Sequence, residues 1–284
     1  MEGDFFGEMY GDPAAAEHYF EPQTQPLDCV EMSAADIIGQ ETGHEPTESQ
    51  ITTVAEDIPS TVNVDSATGQ PDPAYDPATG TALQDAPELL AHYHVSASYV
   101  DDTTATASGA PGTGMQVLEQ DLANGDKIIA GVDGPQIWDA IGDGPVTDPG
   151  HADHAVVVTG VDTSKGVVYL NDSGVPNGAE EAVPIQVFEN AWGTSGDAMV
   201  VAQPGSDHSD TTVTSDTTTS AGNPGMPADT TLVNPTPNLH DVAEKASITG
   251  TVASAGATAA YWAYRRRTRR ATTPRPRLPK PPTT

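Results

Sequence analysis

"HAVVVTGVD", residues 154–162, is a β-branched run with few polar residues. A stretch of that kind reads as a central strand covered on both faces rather than an amphipathic one. "TSKG" follows, then "GVVYLND" at 166–172, a second strand one turn away. Two strands so closely joined predict an antiparallel hairpin. Downstream, "PIQVFENAW" (184–192) places Ile185, Phe188 and Trp192 at helical spacing, and "DAMVVAQ" (197–203) closes with a last strand. Upstream, "KIIAGVD" (127–133) is a short apolar run of strand type. It follows a helical pattern from Met115 to about Ala123 that Gly125 can stop.

The first half is helical. Asp28 is a good N-cap, after which Val30, Ala34, Ile37 and Ile38 recur at helical spacing, with Gly39 or Gly43 able to end the helix. A second helix is expected near 47–56, opening at Thr47, and a third near 85–93 with Pro87 in its first turn. Residues 59–84 and 101–114 are rich in loop-forming types and read as loops. Helices first and an antiparallel sheet second give an α+β fold rather than a doubly wound one.

Composition limits the folded part. Hydrophobic residues make up 36% and aromatics 5% of 284 residues, so one modest domain is expected within a longer chain. Residues 1–14 read as a flexible acidic lead-in and 15–203 as the domain. Residues 204–245 read as a disordered Ser/Thr/Asp/Pro-rich linker, 246–264 as a weak candidate transmembrane or amphipathic helix, and 265–284 as a basic Pro-rich tail. The run "ASITGTVASAGATAAYWAY" is uncharged for its whole length, but it is mostly Ala, Gly, Ser and Thr, and "RRRTRR" follows it. The N-terminus lacks the basic start and apolar run of a Sec-type signal. A cytoplasmic location is therefore expected, or membrane association through 246–270.

All 41 Asp and Glu precede Lys245, and only Lys127 and Lys165 accompany them, so residues 1–244 carry −39. Such a body repels nucleic acid and anionic lipid. The single cysteine, Cys29, excludes an intramolecular disulfide.

Cys29 therefore needs a role in packing or in reactivity. A thiol nucleophile needs an activated sulfur, a base and an oxyanion stabiliser. A helix start favours thiolate, and Cys29 stands at one. Gln23 and Gln25, six and four residues earlier, are candidate amide donors to an oxyanion. Of eight histidines, His154 heads the Val-rich strand at a rigid edge; His151, His92 and His94 are weaker candidates for the base. Asp172 ends the next strand, so antiparallel pairing brings it beside His154, as a group that orients an imidazole must be.

The ordered set Gln23, Cys29, His154 and Asp172 resembles the bacteriocin leader-peptidase (C-thirty-nine-like) family of papain-like cysteine peptidases, and within it the stand-alone bacterial members. The resemblance spans about residues 15–203. It implies a papain-like α+β fold and a cysteine peptidase or related amide hydrolase acting on a peptide or protein substrate without a cofactor. It also implies the roles: Cys29 the nucleophile, His154 the general base and acid, Asp172 the third triad member, Gln23 the oxyanion-hole donor. Two positions depart from the family pattern. Val30 follows the cysteine where transporter-linked members have Gly, and Ser173 follows the aspartate where Pro is usual. The alternatives are a non-catalytic binding or surface-display module on the same fold, and a thiol acyltransferase. "HADH" (151–154) lacks the Glu of a zinc-protease helix, and the acidic loops miss the spacing of a twelve-residue calcium loop, so no metal is expected.

Overall fold

The computed structural model describes residues 7–108, 112–142 and 150–205. Elements run in the order β1 (Met9–Gly11), α1 (Pro13–Ala16), α2 (Cys29–Thr42), α3 (Glu48–Asp57), β2 (Pro59–Val64), β3 (Pro71–Pro73), β4 (Tyr75–Asp76), β5 (Gly80–Thr81), α4 (Ala86–His92), β6 (Ala97–Val100) and α5 (Asp102–Ser108). The second half follows with α6 (Met115–Asn124), β7 (Lys127–Val132), α7 (Gly134–Ala140), β8 (His154–Asp162), β9 (Val167–Asn171), β10 (Glu181–Pro184), α8 (Ile185–Trp192) and β11 (Met199–Ala202).

The main sheet is antiparallel, ordered β10-β9-β8-β7-β11-β6, with β1 paired to the far half of β8. All nine residues of β8 are buried. The reason is a three-layer arrangement. Alternate residues Val156 and Val158 join Trp138, Phe188 and Trp192 in one core, while Ala155 and Val157 face Val30, Ala34, Ile37 and Ile38 of α2 in the other. Asp162 shapes the hairpin turn by accepting from the Ser164 and Lys165 amides, both at 3.0 Å. The α+β expectation is met: a helix carrying Cys29 packs on an antiparallel sheet that opens at His154.

Local signals hold at the helix ends. Gly43, not Gly39, ends α2, at φ +73° with its amide on Gly39 O at 2.8 Å. Gly39 is spent on packing, since a Cβ there would lie 2.5 Å from Tyr19 Cδ1. Thr47 and Gln50 form a capping box at α3.

Several expectations are corrected. The stretch 59–84, read as loop, contains two small two-stranded sheets, β2-β3 and β4-β5; Pro and Asp on short edge strands hide the alternation that marks longer ones. Residues 102–108, also read as loop, form α5, which Thr104 and Asp101 start by reciprocal backbone–side-chain hydrogen bonds. The lead-in 1–14 contributes β1, so part of it is ordered against the sheet. The helix α7 and the strand β10 had no counterpart in the sequence reading. Residues 206–284, which hold the expected candidate membrane helix and basic tail, lie outside the described residues, as does most of the linker. Among the described residues, no helix is long and apolar enough to cross a membrane.

Candidate active site

Cys29 is the first residue of α2 and 8% exposed. Just before it, Leu27 sits at φ +74°, a left-handed conformation that costs a bulky residue on the order of 1–3 kcal/mol and is concentrated at functional sites. Its carbonyl packs where a Cβ on Gly80 would lie 2.8 Å away. Asp28 is the N-cap residue, yet its side chain makes no capping hydrogen bond. It turns toward Glu48 on α3 instead, a fully buried carboxyl with no donor for either oxygen. The amides at the start of α2 are thereby left without a side-chain cap.

His154 opens β8, in register with Val132 of β7. Its Nε2 and Asp172 Oδ1 are 2.6 Å apart, and both side chains are wholly buried. Asp172 accepts two further hydrogen bonds, from Trp138 Nε1 to Oδ2 at 2.8 Å and from the Gly174 amide to Oδ1 at 2.8 Å. Trp138 also leans on the imidazole, with ring centroids 5.2 Å apart. Glycine is needed at 174, because a Cβ would come within 3.0 Å of both Asp172 Oδ1 and His154 Cε1.

With Nε2 committed to Asp172, the other ring nitrogen, Nδ1, is buried without a closed hydrogen bond. Cys29 interacts with the ring and favours its charged form. Burial opposes charge on the imidazole, but the Asp172 carboxylate, by charge and hydrogen bond, and then Cys29, outweigh it and hold the His154 pKa well above the ordinary value. Burial likewise pushes Asp172 up, and His154, Trp138 and Gly174 outweigh that and hold it down. Both shifts favour the charged forms, an imidazolium facing a carboxylate.

Gln23 is brought to the same place. It is 2% exposed, while Gln25 is exposed. The Gln23 amide donates to Ser173 O at 2.9 Å, its Nε2 donates to Gln25 O at 3.0 Å, and Ser173 Oγ donates to its Oε1 at 2.9 Å. A backbone carbonyl only accepts, so the atom facing Gln25 O must be the NH2 group, and Ser173 must supply its proton to Oε1. One Nε2 hydrogen is left for another acceptor. Glu48 secures the segment that follows: it accepts from the Thr24 amide and Thr24 Oγ1 at 2.5 Å each, and from the Gln25 amide at 2.8 Å. Ser173→Ala should leave a buried oxygen without its donor and cost about 1–3 kcal/mol. Thermal unfolding of Ser173→Ala beside Ser173→Thr checks this; equal losses in both would assign the effect to packing.

His151, His92 and His94, the weaker candidates, are not hydrogen-bonded to Asp172; His154 alone is. The sequence reading missed Trp138 and Glu48. Trp138 lies on α7, whose start was signalled by Asp133, the N-cap that accepts from the Gln136 amide, and by Pro135 in the first turn. Nothing local marks Glu48 as a partner of a loop 23 residues away.

Residues 20–200 match the Peptidase_C39 like family. The chain belongs to that family. Uncharacterized proteins of Mycobacterium tuberculosis (strain H37Rv) and Mycobacterium bovis are 48% identical to it over 202 residues, covering 69% of this chain and 84% of theirs. Among solved structures, a Bacillus anthracis protein assigned as a C39-like peptidase superposes with a TM-score of 0.43 at 15% identity, over 69% of this chain and 97% of that one. A double glycine motif protease from an AMS/PCAT transporter, solved in complex with its leader peptide, gives 0.37 at 13%, over 65% and 90%. Two residues beside the candidate site, Val30 and Ser173, are fixed by packing and by a hydrogen bond respectively. Val30 is 4% exposed and packs in the core under α2, and Ser173 supplies the hydroxyl that holds Gln23.

Proposed function

We propose that the chain is a cysteine peptidase, or a related amide hydrolase, acting on a peptide substrate. The observation that carries the reading is the His154–Asp172 contact of 2.6 Å, which leaves the opposite ring nitrogen to the only thiol in the chain. In this reading Cys29 is the nucleophile. Its thiolate attacks the scissile carbonyl carbon, a C–S bond forms, and the carbonyl oxygen takes the negative charge. The free Nε2 hydrogen of Gln23 and the backbone amide of Cys29 stabilise that oxyanion. His154 passes its Nδ1 proton to the leaving amine as the C–N bond breaks, leaving a thioester. A water then attacks the thioester, giving its proton to His154; the C–S bond breaks and the acid is released. Asp172 keeps the ring in the orientation that aims Nδ1 at the sulfur, and the enclosure by Trp138 and Gly174 holds bulk water off the proton transfer.

One alkylation experiment tests this, because labelling reports on a single thiol. One equivalent of iodoacetamide should abolish peptide hydrolysis, and Cys29→Ala should show neither labelling nor hydrolysis. His154→Ala should slow labelling at pH 7 by about tenfold or more. Undiminished hydrolysis by Cys29→Ala overturns the reading. Closure around the imidazole, whose side chain is wholly buried, favours the second reading, a peptide-binding module on the same fold. That reading requires a wild-type chain that binds peptide and never cuts it.

A further inference from the structure

The substrate's charge is constrained by where the cations are. Residues 1–244 contain no arginine and two lysines, Lys127 and Lys165. Both are engaged: Lys127 Nζ lies 3.9 Å from Glu41, and Lys165 Nζ lies 3.0 Å from Asp162. Both are also at the wrong end of the sheet. Strand β7 reaches His154 at Val132, its last residue, and Lys127 is its first. Five residues of strand put it roughly 17 Å away. Lys165 follows Asp162, the opposite end of β8 from His154. At roughly 3.3 Å per strand residue that is farther still.

The end that carries the sulfur is lined by acids. Asp28 and Glu31 flank Cys29 on α2 and Asp153 precedes His154, but all three are buried and hold their protons more tightly than a free acid. The charge here therefore comes from Glu48, which is held low and grips the Gln23 loop, and from the anionic body as a whole. A small cavity opens one turn further along α2, between Met32, Phe20 and Ser173, and its other walls include Glu21 and Asp36. Among the described residues, the His154 imidazole is the side chain at the site that can carry positive charge, and it is matched by Asp172 at 2.6 Å.

We propose that this site selects polypeptide segments that are neutral or cationic around the bond to be cut, and rejects segments bearing carboxylates there, a C-terminal carboxylate included. The inference deepens the peptidase reading and rests on it. A substrate carboxylate brought to Cys29 would lose its hydration and find, among the described residues, no lysine or arginine to replace it. A lysine or arginine side chain would be drawn toward the same end by the field of the whole anionic body. Cleavage therefore falls inside a chain rather than at the residue carrying its free carboxylate.

Two measurements on the full chain test this. The first compares kcat/KM for a matched pair of internally quenched peptides, with one apolar core flanked by Lys or by Glu. The Lys-flanked peptide should be cut at least about tenfold faster at 20 mM NaCl, and the two rates should converge at 0.5 M, where screening acts within about 4 Å. The second needs no hydrolysis. Cys29 is modified with methanethiosulfonates bearing a trimethylammonium or a sulfonate group; the thiolate displaces methanesulfinate and forms a mixed disulfide. The ratio of the two rates, normalised to 2-mercaptoethanol, should favour the cation by about tenfold at low salt and collapse at high salt. Equal cutting of both peptides, or a normalised ratio near one, overturns the inference and leaves the peptidase reading intact. A biased ratio with neither peptide cut supports the inferred charge selection of the site and counts against hydrolysis.

Discussion

Asp172→Asn is expected to lower peptide hydrolysis by a factor on the order of 10³ to 10⁴, the scale found when the orienting carboxylate of a triad is neutralised. The volume of the side chain is kept, and an amide oxygen remains for a donor, so the fold should survive. What is lost is the charge that holds His154 as an imidazolium. The pKa of His154 should fall toward the ordinary histidine value, which a histidine NMR titration reads directly. The signs follow from the two shifts. His154 is raised, so its stabilisation is present at acid pH and lost as pH rises through the raised value. Asp172 is lowered, so its stabilisation is present above the ordinary carboxylate range and lost as pH falls through the lowered value. Asp172→Ala removes the acceptor of Trp138 Nε1 as well, and breaking a buried pair in that way costs about 3–5 kcal/mol. If Asp172→Asn hydrolyses peptide at the wild-type rate, the pair only holds the fold together.

Asp28→Asn is expected to stabilise the protein at pH 8, by about 1–3 kcal/mol after allowance for relaxation around a buried acid. Burial, then the hydrogen bond to Glu48 and the charges of Glu48 and Glu31, push Asp28 up to about 9. Three more acids are raised mainly by burial, Glu31 to about 7, Asp36 to about 7 and Glu45 to about 8. A carboxyl that binds its proton more tightly folded than unfolded makes stability fall as pH rises from the unfolded pKa to the folded one. The wild-type chain should therefore lose stability steadily between pH 5 and pH 8, the reverse of the usual carboxylate behaviour. Asparagine at 28 can donate to Glu48, whose own pKa is held low despite burial by hydrogen bonds from Asp28, Thr24 and Gln25. An asparagine amide does not titrate in this range, so the pH dependence from position 28 is gone. Urea midpoints across that pH range, followed by tryptophan fluorescence, decide the matter: a wild-type midpoint that stays level or climbs, or a variant curve parallel to it, would refute the argument.

Much of the site was legible because its parts sit at element boundaries. His154 opens the Val-rich strand and Asp172 directly follows the next one, so hairpin pairing alone brings them together, and the observed strands start and stop within a residue of the expected ones. Cys29 was readable for the same reason, since Asp28 and the apolar spacing after it mark a helix start. The choice between Gln23 and Gln25 was not legible. Both precede the cysteine at workable distances, and only the contact with Ser173, 150 residues on, buries one and leaves the other exposed.

Sequence by itself determined the α+β class, the anionic body with its two lysines, and the strand and helix that bear His154 and Cys29. These depend on side-chain chemistry and periodicity, which are properties of neighbouring residues. Tertiary structure alone decided that Asp28 abandons its capping role for Glu48, that Trp138 closes over Asp172, that Ser173 turns Gln23, and that both lysines end up paired and remote from the sulfur. Each of those is a contact between segments far apart in the chain, and burial sets its energy. A buried carboxyl or amide must find whichever donor the packed layers bring to it.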